Sequence, residues 1–154
     1  MEFIIFMSKL DIEIIELIKK AKYQIVENTS LCKIDKKFMG FHKSREKTIV
    51  ICTKNAKLVG NYSKRKNLNN NDNNKTKLYL RRALRHEATH LAQSCNGGKT
   101  IKLLTKKQMK LHKGKFKALK SSVIISGKLD KEIEAYLMED KPRKVREGII
   151  KYCL

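Results

Sequence analysis

The chain has no tryptophan and a single proline, and aromatic residues fill only 6% of its 154 positions. Any core is therefore aliphatic, and a collagen-like or proline-rich extended chain is excluded. Seven glycines are scattered without a period, and no internal repeat stands out. No apolar run approaches the roughly 18 residues that a membrane-spanning helix needs. Acidic residues are short as well: 15 Asp and Glu stand against 36 Lys and Arg, giving a net charge of +21. Closely spaced cysteines are missing too. Cys32, Cys52, Cys95 and Cys153 lie far apart with no CxxC pair, which argues against a zinc ribbon or a thioredoxin-type motif.

What is present suits one domain over residues 1–154, with 41% hydrophobic residues available for one core. The segment Glu2-Phe3-Ile4-Ile5-Phe6-Met7 has no basic flank, and its apolar stretch is too short for a signal peptide. The expectation is a cytoplasmic protein whose four thiols are reduced and mostly buried. The charge suggests a polyanion partner, either nucleic acid or an anionic surface. Only seven of the 36 cations are arginines, however, and arginine is the residue best matched to bidentate phosphate contact. Lysine, asparagine and isoleucine are also the residues that AT-rich codons favour, so the charge has a second possible origin.

Hydrophobic spacing gives the coarse organisation. Leu10, Ile14, Leu17, Ile18, Ala21 and Ile25 recur at steps of three and four, predicting an amphipathic helix of about four or five turns. Thr48 to Cys52 reads as a strand, and Lys57 to Tyr62 as a second strand or a turn around Gly60. The Asn-rich stretch 67–74 predicts a mobile loop. A helix follows from Leu78 to Cys95, with Thr76 as N-cap and Asn96-Gly97-Gly98 as its stop. Lys99 to Lys120 carries nine lysines, and Ser121 to Ser126 suits a short strand. A helix from Leu129 to about Asp140, an interruption at Pro142 and a last helix from Val145 to Cys153 complete the chain. The fold class expected is α+β.

The chemistry concentrates in His86-Glu87-Ala88-Thr89-His90. Two histidines at i and i+4 share one helix face, so both imidazoles reach one cation. Imidazole nitrogen suits Zn²⁺, which takes tetrahedral N, O and S ligands. Glu87 can stand beside the metal as general base, taking a proton from water that the metal has acidified. The plainer reading is an exposed helix with two solvated histidines. Leu80, Leu84, Leu91 and Ala92 weigh against it, because they give the helix an apolar side to bury.

A third ligand is needed, and Glu132-Ile133-Glu134-Ala135-Tyr136 begins 42 residues after His90. His86-Glu87-x-x-His90 followed by Glu132-x-x-Ala135 resembles the HExxH…ExxA pattern of gluzincin zinc metallopeptidases. The likeness extends to compact bacterial and phage proteins of that type with unassigned substrates, and covers about residues 78–153. The resemblance implies Glu132 as third ligand, Ala135 as the small residue at which two helices pack, and hydrolysis of a peptide or protein substrate. It implies a zincin-like domain in which the HExxH helix packs on a small sheet and a second, ligand-bearing helix, with a metal core at about 76–140. Gluzincins often place Asp after the Ala as partner to a metal histidine; this chain has Tyr136 there.

Two other third ligands stay open. Glu134 is one. The other is His112, in Leu111-His112-Lys113-Gly114-Lys115-Phe116, a run similar to the SprT-like proteases, some of which act on DNA-crosslinked proteins. For the oxyanion, Tyr136, Tyr79, His112 or an arginine are candidates. His42, next to Lys43, reads as exposed, and Cys95 as a packed thiol at a helix end. Arg81, Arg82 and Arg85 read as solvated charge on two helix faces. The competing function is a basic nucleic-acid-binding protein, or an inactive zincin with a structural metal.

Overall fold

The computed structural model of the chain describes residues 1–65, 73–105, 119 and 128–154. Most of the Asn-rich stretch, His112, nearly all of Lys106 to Lys120 and the strand expected at Ser121 to Ser126 lie outside the described residues. The architecture is α+β. A 3-10 turn at Glu2–Phe6 sinks Phe3 and Phe6 into the core. It leads to α1 (Lys9–Lys20), β1 (Gln24–Glu27), a 3-10 turn at Ser30–Lys33, β2 (Gly40–Lys43) and β3 (Thr48–Ile51). Then come α2 (Thr53–Val59), α3 (Asn74–Cys95), α4 (Leu129–Met138) and α5 (Pro142–Cys153). None of the described helices is long and apolar enough to cross a membrane.

Helix α1 starts at a capping box: Ser8 Oγ accepts from Asp11 N–H, and Asp11 Oδ2 accepts from Ser8 N–H. The sequence periodicity ran on to Ile25, but the helix stops at Lys20. Lys22 takes φ +64°, its N–H donates to Lys19 O, and Tyr23 N–H donates to Ile18 O. These are the two bonds of a Schellman motif, here built on lysine instead of glycine. Ile25 therefore belongs to β1, paired with Ile49.

The sheet has the order β1-β3-β2, with β1 parallel and β2 antiparallel to the central, fully buried β3. β2, at one edge, was unread in the sequence. The segment Lys57 to Tyr62 is not a strand: it is the last turn of α2 and the turn after it. Gly60 is needed there, because a Cβ would lie 2.3 Å from Thr76 Oγ1. Thr76 is correspondingly buried in the first turn of α3, and Asn73 takes the N-cap position. Pro142 opens α5, where its missing N–H costs nothing.

Helix α3 is the axis. It packs on α1, α4 and α5, and also on β2 and β3, through Leu80, Ala83, Leu84, Ala88, Leu91 and Ala92. Its arginines are ties, not solvated charge. Arg85 holds the fully buried Asp11 of α1 with Nε–Oδ1 at 2.7 Å and its second nitrogen on Oδ2 at 3.1 Å. Arg81 Nε donates to Phe6 O, and Arg82 makes a two-bond pair with Asp140. Removing one partner of a buried pair such as Arg85–Asp11 costs about 3–5 kcal/mol.

The cysteines correct the expectation of reduced thiols. Cys32 is bonded to Cys52 and Cys95 to Cys153, leaving none free. The second bond ties the end of α3 to the end of α5, which meet although 58 residues apart in sequence. Replacing Cys95 and Cys153 together by serine should lower stability by about 2–5 kcal/mol in denaturant unfolding. An unchanged midpoint, or two titratable thiols in the native oxidised protein, would show that this bond does not form.

Candidate metal centre

On α3, His86 and His90 stand one turn apart with their Nε2 atoms 3.1 Å from each other. Helix α4 brings Glu132 against both: Oε2 lies 3.3 Å from His86 Nε2, and Oε1 lies 3.3 Å from His90 Nε2. These three residues each offer one ligand atom, all within 4.8 Å of one another, and can hold a metal ion. Ala135 on the same helix is fully buried, and α4 packs on α3.

The donor chemistry fits a cation. Glu132 Oε2 is buried and makes no well-formed hydrogen bond among the described residues, with His86 Nε2 facing it at 3.3 Å, and a buried carboxylate oxygen so placed is stabilised by a cation. The tautomer of His90 follows from its neighbours. Gln93 Nε2 donates to Glu134 Oε1 and to Lys131 O, which turns the amide oxygen of Gln93 toward His90 Nδ1 at 2.8 Å. That oxygen only accepts, so Nδ1 carries a proton toward Gln93 and Nε2 is turned to Glu132. On His86, Nδ1 donates to Glu139 Oε1 at 3.1 Å. Such backing by an amide or carboxylate orients a ligating imidazole and raises its basicity.

The open alternatives now separate. Glu134 points away: its Oε1 accepts from Gln93 and from Ile101 N–H, and its Oε2 from Lys102 N–H. It anchors the segment after α3 and, through Gln93, sets His90. His112 lies outside the described residues. Tyr136 packs its ring on His86 at 4.5 Å between centroids. The carboxylate that the sequence lacked at position 136 is supplied by Glu139, one turn further on.

Glu87, buried, lines the same cleft, of ≈ 310 Å³, together with His86, His90 and Glu132. Gly40 of β2 makes room for it: a Cβ there would stand 2.9 Å from Glu87 Cγ and 3.1 Å from its Oε1. Burial raises the Glu87 pKa above the ordinary carboxylate value, against the opposing pull of His86 and His90. Burial alone would lower His86, but the Glu132 and Glu139 carboxylates on either side outweigh it and raise it from 6.5 to about 10. Burial would likewise raise Glu132, yet the two imidazoles hold it well below the usual carboxylate range.

His42 was expected at the surface and is instead half-buried in the cleft wall. Its ring stacks between Tyr23 at 5.6 Å and His90 at 6.3 Å, and its Nε2 is buried without a partner. Burial, then the nearby His90 and Lys131, lower its pKa to about 4. The charged turn 44–47 just before β3 was the signal for a hairpin, and hence for His42 on a strand. Among the described cleft residues, the donors besides the ligands are His42, Lys128 and Lys131.

Residues 3–154 match the family described as Domain of unknown function (DUF8637). No curated protein and no solved structure matches the chain.

In the metal-free protein His86 is protonated at neutral pH, so a metal ion must displace that proton. Zn²⁺ affinity should therefore climb with pH up to about 10, approaching tenfold per unit, with a proton released on binding. Calorimetry in buffers of different ionisation enthalpy measures both, and a pH-independent affinity around neutrality would contradict a protonated His86. In the absence of metal the raised pKa contributes stability that is complete below 6.5 and lost as the pH rises through about 10. Glu139→Gln should weaken Zn²⁺ binding roughly 10–100-fold.

Proposed function

The chain belongs to the DUF8637 family, and from its site we propose a zinc-dependent metallopeptidase with a zincin-like arrangement of helix, sheet and ligand-bearing second helix. The observation that carries this reading is the convergence of His86, His90 and Glu132 on one point, with the buried Glu87 carboxylate beside them in an open cleft. Two imidazoles and one carboxylate are a ligand set found in hydrolytic zinc sites, where three protein ligands leave a position for water. Zn²⁺ held there supplies Lewis acidity and acidifies a coordinated water.

The chain's own groups do the rest. Glu87 accepts the proton of the attacking water and returns it to the amine nitrogen of the leaving peptide. Its burial suits this, because a raised pKa brings a carboxylate closer to neutral pH, where both transfers are needed. Gln93 and Glu139 hold the two imidazoles in the tautomers that direct Nε2 inward. His42, on the edge strand, forms the β2 side of the cleft wall. The two disulfides favour an oxidising compartment over the cytoplasm that the sequence led us to expect.

Glu87→Gln tests the reading directly. The variant should keep its fold and about one zinc per chain by elemental analysis, while peptide hydrolysis falls by at least a hundredfold. Residual hydrolysis at the wild-type rate would remove Glu87 from the mechanism. Metal without turnover of any peptide by the wild type would leave a structural zinc. Gly40→Ala should also lower kcat with zinc content unchanged, since the added Cβ displaces the Glu87 carboxylate.

A further inference from the structure

The charge inside the metal cleft is uneven. Among the described residues its acids are Glu87 and Glu132, and together these balance one divalent cation. Lys128 and Lys131 line the cleft beyond them, so with a metal bound the wall that α4 contributes is positive. The same two lysines line a second cavity, of ≈ 690 Å³, which they share, among the described residues, with Lys99, Lys102 and one acid, Asp130. The two cavities thus meet at a pair of ammonium groups carried one helical turn apart.

Their backbone is held in place. Lys128 is the N-cap residue of α4. Lys131 precedes the ligand Glu132, and its carbonyl oxygen accepts from Gln93, the residue that orients His90. The Lys131 ammonium reaches over the turn after α3, where Gly98 at φ +76° carries no side chain. A Cβ at Gly98 would lie 4.0 Å from Nζ. Phe38 and Phe41, packed edge to face at 5.4 Å, add an apolar wall to the metal cleft. An occupant that satisfies both walls has an apolar group and an anionic group close to the reacting carbonyl.

We propose that Lys128 and Lys131 form a carboxylate subsite beside the metal, so that the substrate is a peptide with an acidic group next to the bond to be cut. The inference rests on the metallopeptidase reading and names the substrate class of that site. The carboxylate comes from an Asp or Glu side chain or from a free peptide C-terminus. Lysine suits either, since an ammonium offers three donors and a compact charge without demanding planar, bidentate geometry.

The test is binding, separated from turnover. Fluorescent hexapeptides that differ only in Glu against Gln at one position, each with a free or an amidated C-terminus, are titrated by anisotropy against zinc-loaded Glu87→Gln protein. The Glu or free-carboxylate peptides should bind on the order of tenfold tighter, and this preference should fall toward unity in Lys128→Gln/Lys131→Gln on the same background. Zinc content equal to the parent's shows that the variant is folded. Which peptide pair carries the preference identifies the source of the carboxylate. Equal binding of all four peptides, or no binding, overturns the subsite. So does a DNA oligonucleotide that binds more tightly than the acidic peptide at the same salt. Charge-selective binding alongside a wild-type enzyme that cuts nothing would sustain the subsite and reject the peptidase.

Discussion

Two imidazole nitrogens cannot rest 3.1 Å apart inside a protein without a proton or a cation between them. Much of this structure meets that requirement. Glu132 closes over the pair from α4, and Glu139 and Gln93 back the two rings from the far side. Glu134 in turn fixes Gln93 and, by taking the N–H groups of Ile101 and Lys102, ties down the chain that leaves α3. A single residue of α4 thereby connects the orientation of His90 to the path of the backbone. Without a metal, a proton on His86 performs the same electrostatic task, and this is why its affinity for that proton is so high.

Holding the pair also requires that α3 neither slide nor rotate. A shift of one residue would turn the imidazoles by about 100° away from Glu132. Three ties of different kinds oppose this. Arg85 grips the buried Asp11 of α1 toward the middle of the helix, and the Cys95–Cys153 bond pins its end to α5. Between them α5 approaches closely at Gly148, where a Cβ would meet Ile101 at 2.8 Å and Ala92 at 3.5 Å. The short sheet contributes from the other side, with Gly40 leaving space for Glu87 and His42 stacking on His90. The charges that looked like a solvated arginine cluster in the sequence are part of this framework.

The strong positive charge is organised at least in part. Many of the lysines are exposed, where solvent and salt screen them from one another. Lys128, itself exposed, and the half-buried Lys131 stand apart in lining the two cavities. The net charge of +21 sets the sign of the molecule's far field, whereas Lys128 and Lys131 put positive charge in the cleft that His86, His90 and Glu132 line.

The sequence by itself determined whatever depends on neighbours along the chain. Helical spacing put His86, Glu87 and His90 on one stretch of α3, and β-branched content marked Thr48 to Cys52 as a strand, of which Thr48–Ile51 form β3. Even there, a local motif was needed to see α1 end at Lys20 and not run on to Ile25. Tertiary structure alone decided the rest, because the partners are far apart in sequence and a periodic pattern carries no record of them. It set Glu132 and not Glu134 against the imidazoles, though both lie on α4, since the direction of each depends on how that helix crosses α3. It brought His42 to His90 from a strand the sequence had not revealed, and Glu139 to His86 from beyond the last turn of α4. It also joined four distant cysteines into two bonds, a pairing that spacing cannot give because any two cysteines can be brought together by a fold.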